Sequence, residues 1–194
     1  MRASISILRR ILPLAVVVAA APAAAQAQPR ILSPRDTVRF EVAPGQRIYV
    51  DYGRPSMRGR RIMGGLVPYG RVWRTGANAA TTLITDVDLR IGTASVPKGT
   101  YTLYTLPTST GWTLIVNRQT GQWGTQYEPG RDLVRIPMQV STLGEPVEQF
   151  TIRLERGRGS AASTIAMEWE NTRATVPFRV VAPAARRTGT GTRP

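Results

Sequence analysis

The feature that most limits what this 194-residue chain can fold into is a strict alternation of apolar and polar residues, repeated from segment to segment. Successive side chains of a strand point to opposite faces, so this pattern writes half-buried β-strands. Val38, Phe40 and Val42 alternate with Arg39 and Glu41, and Ile48, Val50 and Tyr52 alternate with Tyr49 and Asp51. Leu83, Thr85, Val87, Leu89 and Ile91 share one face of a further run, with Asp86, Asp88 and Arg90 on the other. A turn at Gly92–Ser95 leads toward a strand over Thr100–Leu106. The link Pro107–Gly111 has hairpin length and enters Trp112, Leu114 and Val116. Val134/Ile136/Met138/Val140, Phe150/Ile152/Leu154, Ile165/Met167/Trp169 and Val176/Phe178/Val180 continue the series. Beyond the N-terminal segment no window keeps a 3.6-residue period. Strands at this spacing, joined by Gly/Pro-rich links, predict an all-β fold: an antiparallel β-sandwich of about 8–10 strands with one long ordered loop. Pro137 and Pro177 fall on outward faces of their runs, and a residue with no N–H suits an edge or a bulge, so the last strand or its neighbour is expected at a sheet edge.

The ends of the chain read differently. Arg2, Arg9 and Arg10 precede an apolar run, Ile11–Ala21, and small residues follow, which is the order of a secretory signal cleaved after Ala25 or Ala27. That run is shorter than the roughly 20 residues a bilayer requires, so no retained membrane anchor is expected and the protein is expected to be periplasmic or secreted. The expected organisation is a signal peptide over residues 1–27, a single β-sandwich domain over 31–181 and a disordered basic tail over 182–194, the last built from Ala, Pro, Thr, Gly and Arg with nothing to bury.

Histidine and cysteine are absent. Their absence removes imidazole and thiolate catalysis, disulfides, iron–sulfur clusters and His- or Cys-ligated metals. No cofactor and no metal are expected, and an enzymatic role is the lesser reading. Carboxylates remain, as Asp86/Asp88 and Glu168/Glu170, each pair two residues apart on an outward strand face. Neither pair brings the further oxygen ligands a hard cation needs, and solvated strand faces carry the same pattern. The 26 Lys and Arg against 12 Asp and Glu give a formal charge of +14, which points to anionic partners. Export would separate the chain from nucleic acid, so envelope anions and glycans are the expected partners.

About 27 residues separate Tyr52 from Ala80, well over the roughly 12–15 at which a loop is usually functional or disordered. Met57, Ile62, Met63, Leu66, Val67, Tyr69, Val72 and Trp73 supply apolar mass to fold it back on the domain. It also carries Arg54, Arg58, Arg60, Arg61, Arg71 and Arg74, with no acid between Asp51 and Asp86. Such guanidiniums either pin the loop to its own carbonyls and to distant acids, or converge on an anion, which they grip in bidentate fashion. In the second case Arg54, Arg60 and Arg74 are the candidates, with Ser56 and Asn78 adding neutral hydrogen bonds.

The same loop carries a recognisable pattern: Arg54-Pro55-Ser56, Gly59-Arg60, Gly64-Gly65-Leu66-Val67-Pro68-Tyr69-Gly70 and Val72-Trp73-Arg74-Thr75-Gly76-Ala77-Asn78 with Ala80-Thr81. Pro97, Gly99-Thr100-Tyr101, Trp112-Thr113, Asn117, Trp123-Gly124, Trp169 and Pro177-Phe178 extend it. Over Ile31–Val181 the chain resembles a secreted bacterial family catalogued as domain of unknown function 2911. The resemblance implies export and a β-rich domain, and brings no activity, cofactor or catalytic residue. An acid often follows the asparagine in that family, whereas Ala79 stands here, so a role for such an acid does not carry over.

A second loop, Arg118–Asp132, holds Gln119, Gln122, Trp123, Gln126, Tyr127 and Glu128. Trp123 and Tyr127 either plug an end of the sandwich or offer aromatic faces to a sugar while the amides meet its hydroxyls. The leading functional reading is a binding module for an anionic or glycan-like envelope ligand. The alternatives are a carboxylate- and Arg-dependent enzyme on such a ligand, and a structural assembly subunit. A shallow Arg-lined groove would favour the binder, an exposed aromatic beside buried acids the enzyme, and a bare apolar patch the assembly role.

Overall fold

A computed structural model describes residues 32–159 and 162–181, so the expected signal peptide and basic tail lie outside the described residues. The elements are β1 Arg35–Ala43, β2 Gln46–Gly53, β3 Thr81–Thr85, β4 Leu89–Ile91, β5 Ala94–Val96, β6 Gly99–Pro107, β7 Trp112–Asn117, a 3₁₀ turn at Pro129–Arg131, β8 Asp132–Glu155 and β9 Ser163–Val180. The nine strands form an antiparallel sheet in the order β1-β2-β3-β6-β7-β8-β9-β4-β5. The fold is all-β, as the alternation predicts.

β8 makes the architecture. Its first residues pair with β7 (Ile136 opposite Leu114, Met138 opposite Trp112), and from Gln139 onward it pairs with β9 instead. One strand of 24 residues thus belongs to both layers. The layers meet through their inward residues: Phe40 of β1 lies edge-on to Phe178 of β9 at 5.2 Å, and Tyr52 of β2 to Phe150 of β8 at 5.7 Å. The Ile152 N–H donates to Tyr52 Oη across the gap at 3.0 Å. Ile48, Val50, Leu83, Leu103, Leu114 and Val176 fill the space between. Each such side chain contributes about 1.5–3 kcal/mol when fully buried.

Three expectations change. The run Leu83–Ile91 keeps its alternation but is two strands: β3 pairs with β2 and β6, while β4 pairs with β9 and β5. The chain crosses layers at Asp86–Asp88, where the Asp86 carboxylate accepts the Arg47 N–H at 2.9 Å and the Asp88 carboxylate that of Lys98 at 2.8 Å. These two acids therefore belong to a bend, not to a strand face. The expected edge near Pro177 is interior, because β9 lies between β8 and β4, and the sheet ends at β1 and β5. The β8–β9 ladder stops at Gln139 and Thr175, and Pro137 and Pro177 lie two residues beyond it, where β8 pairs with β7 instead of β9. Neither has an N–H to give, and the prolines mark a fork. Finally, Glu168 and Glu170 do not project together, since Glu170 stands at a bulge with φ of 53°. Glu168 is buried against Arg153 and Arg173, while the Glu170 carboxylate accepts the Ile62 and Met63 N–H groups at 3.0 and 3.1 Å.

Candidate functional site

The long loop is ordered because each of its arms takes a strand's place. Its outgoing arm joins the layer of β9: Phe150 N–H donates to Pro55 O at 2.9 Å and Met57 N–H to Glu148 O at 2.8 Å, so Ser56 bridges Gln149. Ile62 and Val67 are fully buried, and the Glu170 carboxylate holds the turn between them. The returning arm continues β3's lane along β6 past the point where β3 begins: Trp73 and Thr105 exchange two backbone bonds of 2.7 and 3.0 Å, and Gly70 N–H reaches Pro107 O. Both arms meet beside Gly53, where a Cβ would stand 2.2 Å from Ala77 O, so only glycine admits this approach.

Trp73 anchors the returning arm. Its ring stacks on Trp169 at 5.7 Å and meets Phe150 edge-on at 4.9 Å. After it the backbone is strained: Thr75 has φ of 53° and Asn78 of 64°. Positive φ in a β-branched residue costs on the order of 1–3 kcal/mol and persists only where surroundings enforce it. Here they do, since Thr75 is wholly buried, its hydroxyl bonds Thr105 Oγ1 and its carbonyl accepts from Thr81 Oγ1 at 2.7 Å.

This kinked stretch frames a recess of about 280 Å³ lined by Arg60, Arg74, Asn78, Leu66, Trp73 and Trp169, together with Ser33, Pro55, Gly76 and Ala77. No carboxylate lines it. The Arg74 side chain, half-buried, spends only Nε, on Gly76 O at 3.2 Å. Arg60 bonds the carbonyls of Met57 and Ser56 at 2.9 and 2.8 Å. Neither arginine forms an ion pair among the described residues, although Arg35, Arg47, Arg54, Arg131, Arg135, Arg153 and Arg173 all do. Burial without a counter-charge is costly for a guanidinium. Arg54, Arg74 and Arg173 are the half-buried arginines among the described residues; Arg54 and Arg173 pair with acids, and Arg74 does not.

Of the residues singled out in the sequence, Arg60, Arg74 and Asn78 share this recess. Arg54 does not line it. Its guanidinium ties β1 to β8, bonding Asp36 at 3.1 Å, Phe150 O at 3.2 Å and Thr151 Oγ1 at 3.0 Å. Ser56 is part of the loop's bridge to Gln149 and receives Arg60 on its carbonyl. The remaining loop arginines include Arg58, whose guanidinium binds Leu32 O, and Arg61, which binds Met63 O. Leu66, Pro55, Trp73 and Trp169 complete the wall without having been candidates, because an apolar side chain gives the same sequence signal in a core as in a recess.

The second loop adjoins the first. Gly124 N–H donates to Asn78 O at 2.9 Å and Ala80 N–H to Gln122 O at 3.2 Å, pairing Trp123 with Ala79. Trp123 is 53% exposed and plugs nothing. The loop also covers the outward face of β6, with Gln122 Nε2 bonding Thr102 Oγ1 and Tyr104 Oη at 3.1 and 3.0 Å. Tyr127 packs edge-on against Tyr104 at 4.8 Å, donates to Asp132 at 2.7 Å and accepts from Arg135 at 2.6 Å.

Burial first, and then the bond to Asp132, push the Tyr127 phenol from its ordinary 10 up to about 12. A group whose pKa is raised by folding stabilises the fold below its unfolded pKa and loses that contribution as pH climbs to the folded value. Tyr127 therefore supports the fold up to about pH 10 and ceases to do so by about pH 12. Tyr127→Phe is expected to shallow the fall in melting temperature across that window, measured against wild type in the same buffers; an identical slope would dissociate Tyr127 from it.

Fold and recess together define the class: an all-β domain whose long loop joins the two layers and frames a basic, acid-free recess. Residues 33–178 match the family model described as "Protein of unknown function (DUF2911)", and the chain belongs to that family. No curated protein and no solved structure matches it.

Proposed function

We propose that this protein is an exported binding module whose loop recess holds an anionic group, a carboxylate or a phosphate, between Arg74 and Arg60 with Asn78 as a neutral partner. The observation that carries this reading is Arg74: a half-buried guanidinium in a concave wall, with its two Nη groups free of any partner among the described residues and no acid lining the recess. A planar fork so placed matches a two-oxygen acceptor. The lining supplies no carboxylate for acid–base work, which favours holding an anion over transforming one.

The test is titration calorimetry of the purified protein with inorganic phosphate and with glucuronate. Arg74→Lys and Arg60→Lys are each expected to lose about 2–5 kcal/mol of binding, because lysine lacks the fork. Arg54→Lys is expected to lower the melting temperature and leave affinity as it is, since Arg54 ties strands outside the recess. Wild-type affinity in both recess variants would remove the anion site.

A further inference from the structure

A second, smaller recess of about 140 Å³ shares two lining residues with the first, Trp73 and Arg74. Its other walls are Val72, Tyr104, Gly124, Thr125 and Tyr127. The stem of Arg74 divides the two spaces: its Cδ stands 2.7 Å from where a Gly124 Cβ would be, while its Nε turns to Gly76 on the side of the first recess. One recess therefore carries two guanidiniums, and the other, apart from Arg74, is neutral and partly aromatic. The only charged group they share is Arg74, which forms no ion pair among the described residues.

Neither space alone reaches the roughly 300–1,000 Å³ of ordinary small-ligand pockets, and the two together do. We propose that the occupant is an acidic glycan of at least two sugar units, its carboxylate on Arg74 and Arg60 and a neighbouring neutral sugar in the Tyr127 recess. This deepens the anion reading and rests on it. The neutral recess offers what a pyranose needs, an aromatic face for its C–H side and a rim of polar groups for its hydroxyls. Tyr127 gives the first, Thr125 lies in the wall, and the exposed indole of Trp123 and amide of Gln126 stand on the same short loop. A peptide strand has no free ladder to join here, because β6 is paired on both sides, by β7 and by Trp73 and Gly70 of the returning arm. Gly124 is the positioning residue of this arrangement, since any side chain there would drive Arg74 from between the two spaces.

The experiment compares glucuronate with an aldobiouronic acid, glucuronate linked to xylose, on wild type, Arg74→Lys and Thr125→Tyr. Thr125 is exposed, so a tyrosine there fills the second recess without entering the core. The disaccharide is expected to bind wild type at least ~10-fold more tightly than glucuronate. Thr125→Tyr is expected to bring the two acids to equal affinity, while Arg74→Lys weakens both ligands. Equal affinity of wild type for the two acids, or an advantage that survives Thr125→Tyr, would overturn the two-unit site and leave the anion site standing. Failure of wild type to bind either acid or phosphate would overturn both.

Discussion

Trp169→Ala is expected to lower folding stability by about 3–5 kcal/mol, the range for emptying a large aromatic site in a core. Trp169 is 1% exposed, stacks on Trp73, tilts against Phe150 at 5.8 Å and donates Nε1 to Glu148 O at 3.2 Å. It therefore joins β9, β8 and the returning arm of the loop in one cluster. Its removal is expected to act twice, on the midpoint of urea denaturation and on anion affinity measured where the variant remains folded, because the same ring lines the first recess. A stability loss under about 1 kcal/mol would mean that the indole cluster is not where the loop gains its order.

The second large effect is expected at Gly53. In Gly53→Ala the new Cβ would meet Ala77 O at 2.2 Å and Ala77 C at 2.9 Å, and both are backbone atoms. Ala77 has little room to retreat, because the strained turn around it is bonded to Thr105 and Thr81. Overpacking of this kind costs about 3 kcal/mol, at the upper end of its usual range. Gly111→Ala is the matched control, with no heavy atom within 4 Å of its Cβ, and it is expected to change stability by less than about 0.5 kcal/mol. Thermal denaturation of the pair separates a steric clash from a general cost of losing glycine. Equal melting temperatures would show that the loop's two ends do not press on each other.

How far the fold is legible in the sequence depends on what alternation measures. It reports which residues face the same way, so Ile48, Val50 and Tyr52 are read correctly as inward. It does not report which layer they face from, and so Leu83–Ile91 reads as one strand although the chain changes layers at Asp86–Asp88. It also assumes that an outward face meets water. Thr102, Tyr104 and Asn117 alternate outward yet are buried, the first two beneath Gln122 and the third against Glu128 and Asp132. The prolines carry true information about missing donors, but a missing donor suits a fork as well as an edge. In the site, charge counting finds the arginines of the loop without ranking them. Arg54 and Arg74 look alike in the chain; what separates them is that Asp36, Phe150 and Thr151 converge on one, while the other meets only the carbonyl of nearby Gly76. That difference is made by residues up to about a hundred positions away, beyond the reach of any local pattern.

The dual pairing of the loop bears on when the recess comes into existence during folding. β1 and β2 are joined by a tight turn and close early, as local contacts do. The outgoing arm, by contrast, waits for residues 148–150 of β8, and its turn waits for Glu170 of β9, 107 and 108 residues along the chain from Met63 and Ile62. The walls of the recess are thus among the last surfaces to form. A ligand held there has nothing to grip while the chain is still folding, so it would leave the folding rate untouched and act as a brake on unfolding.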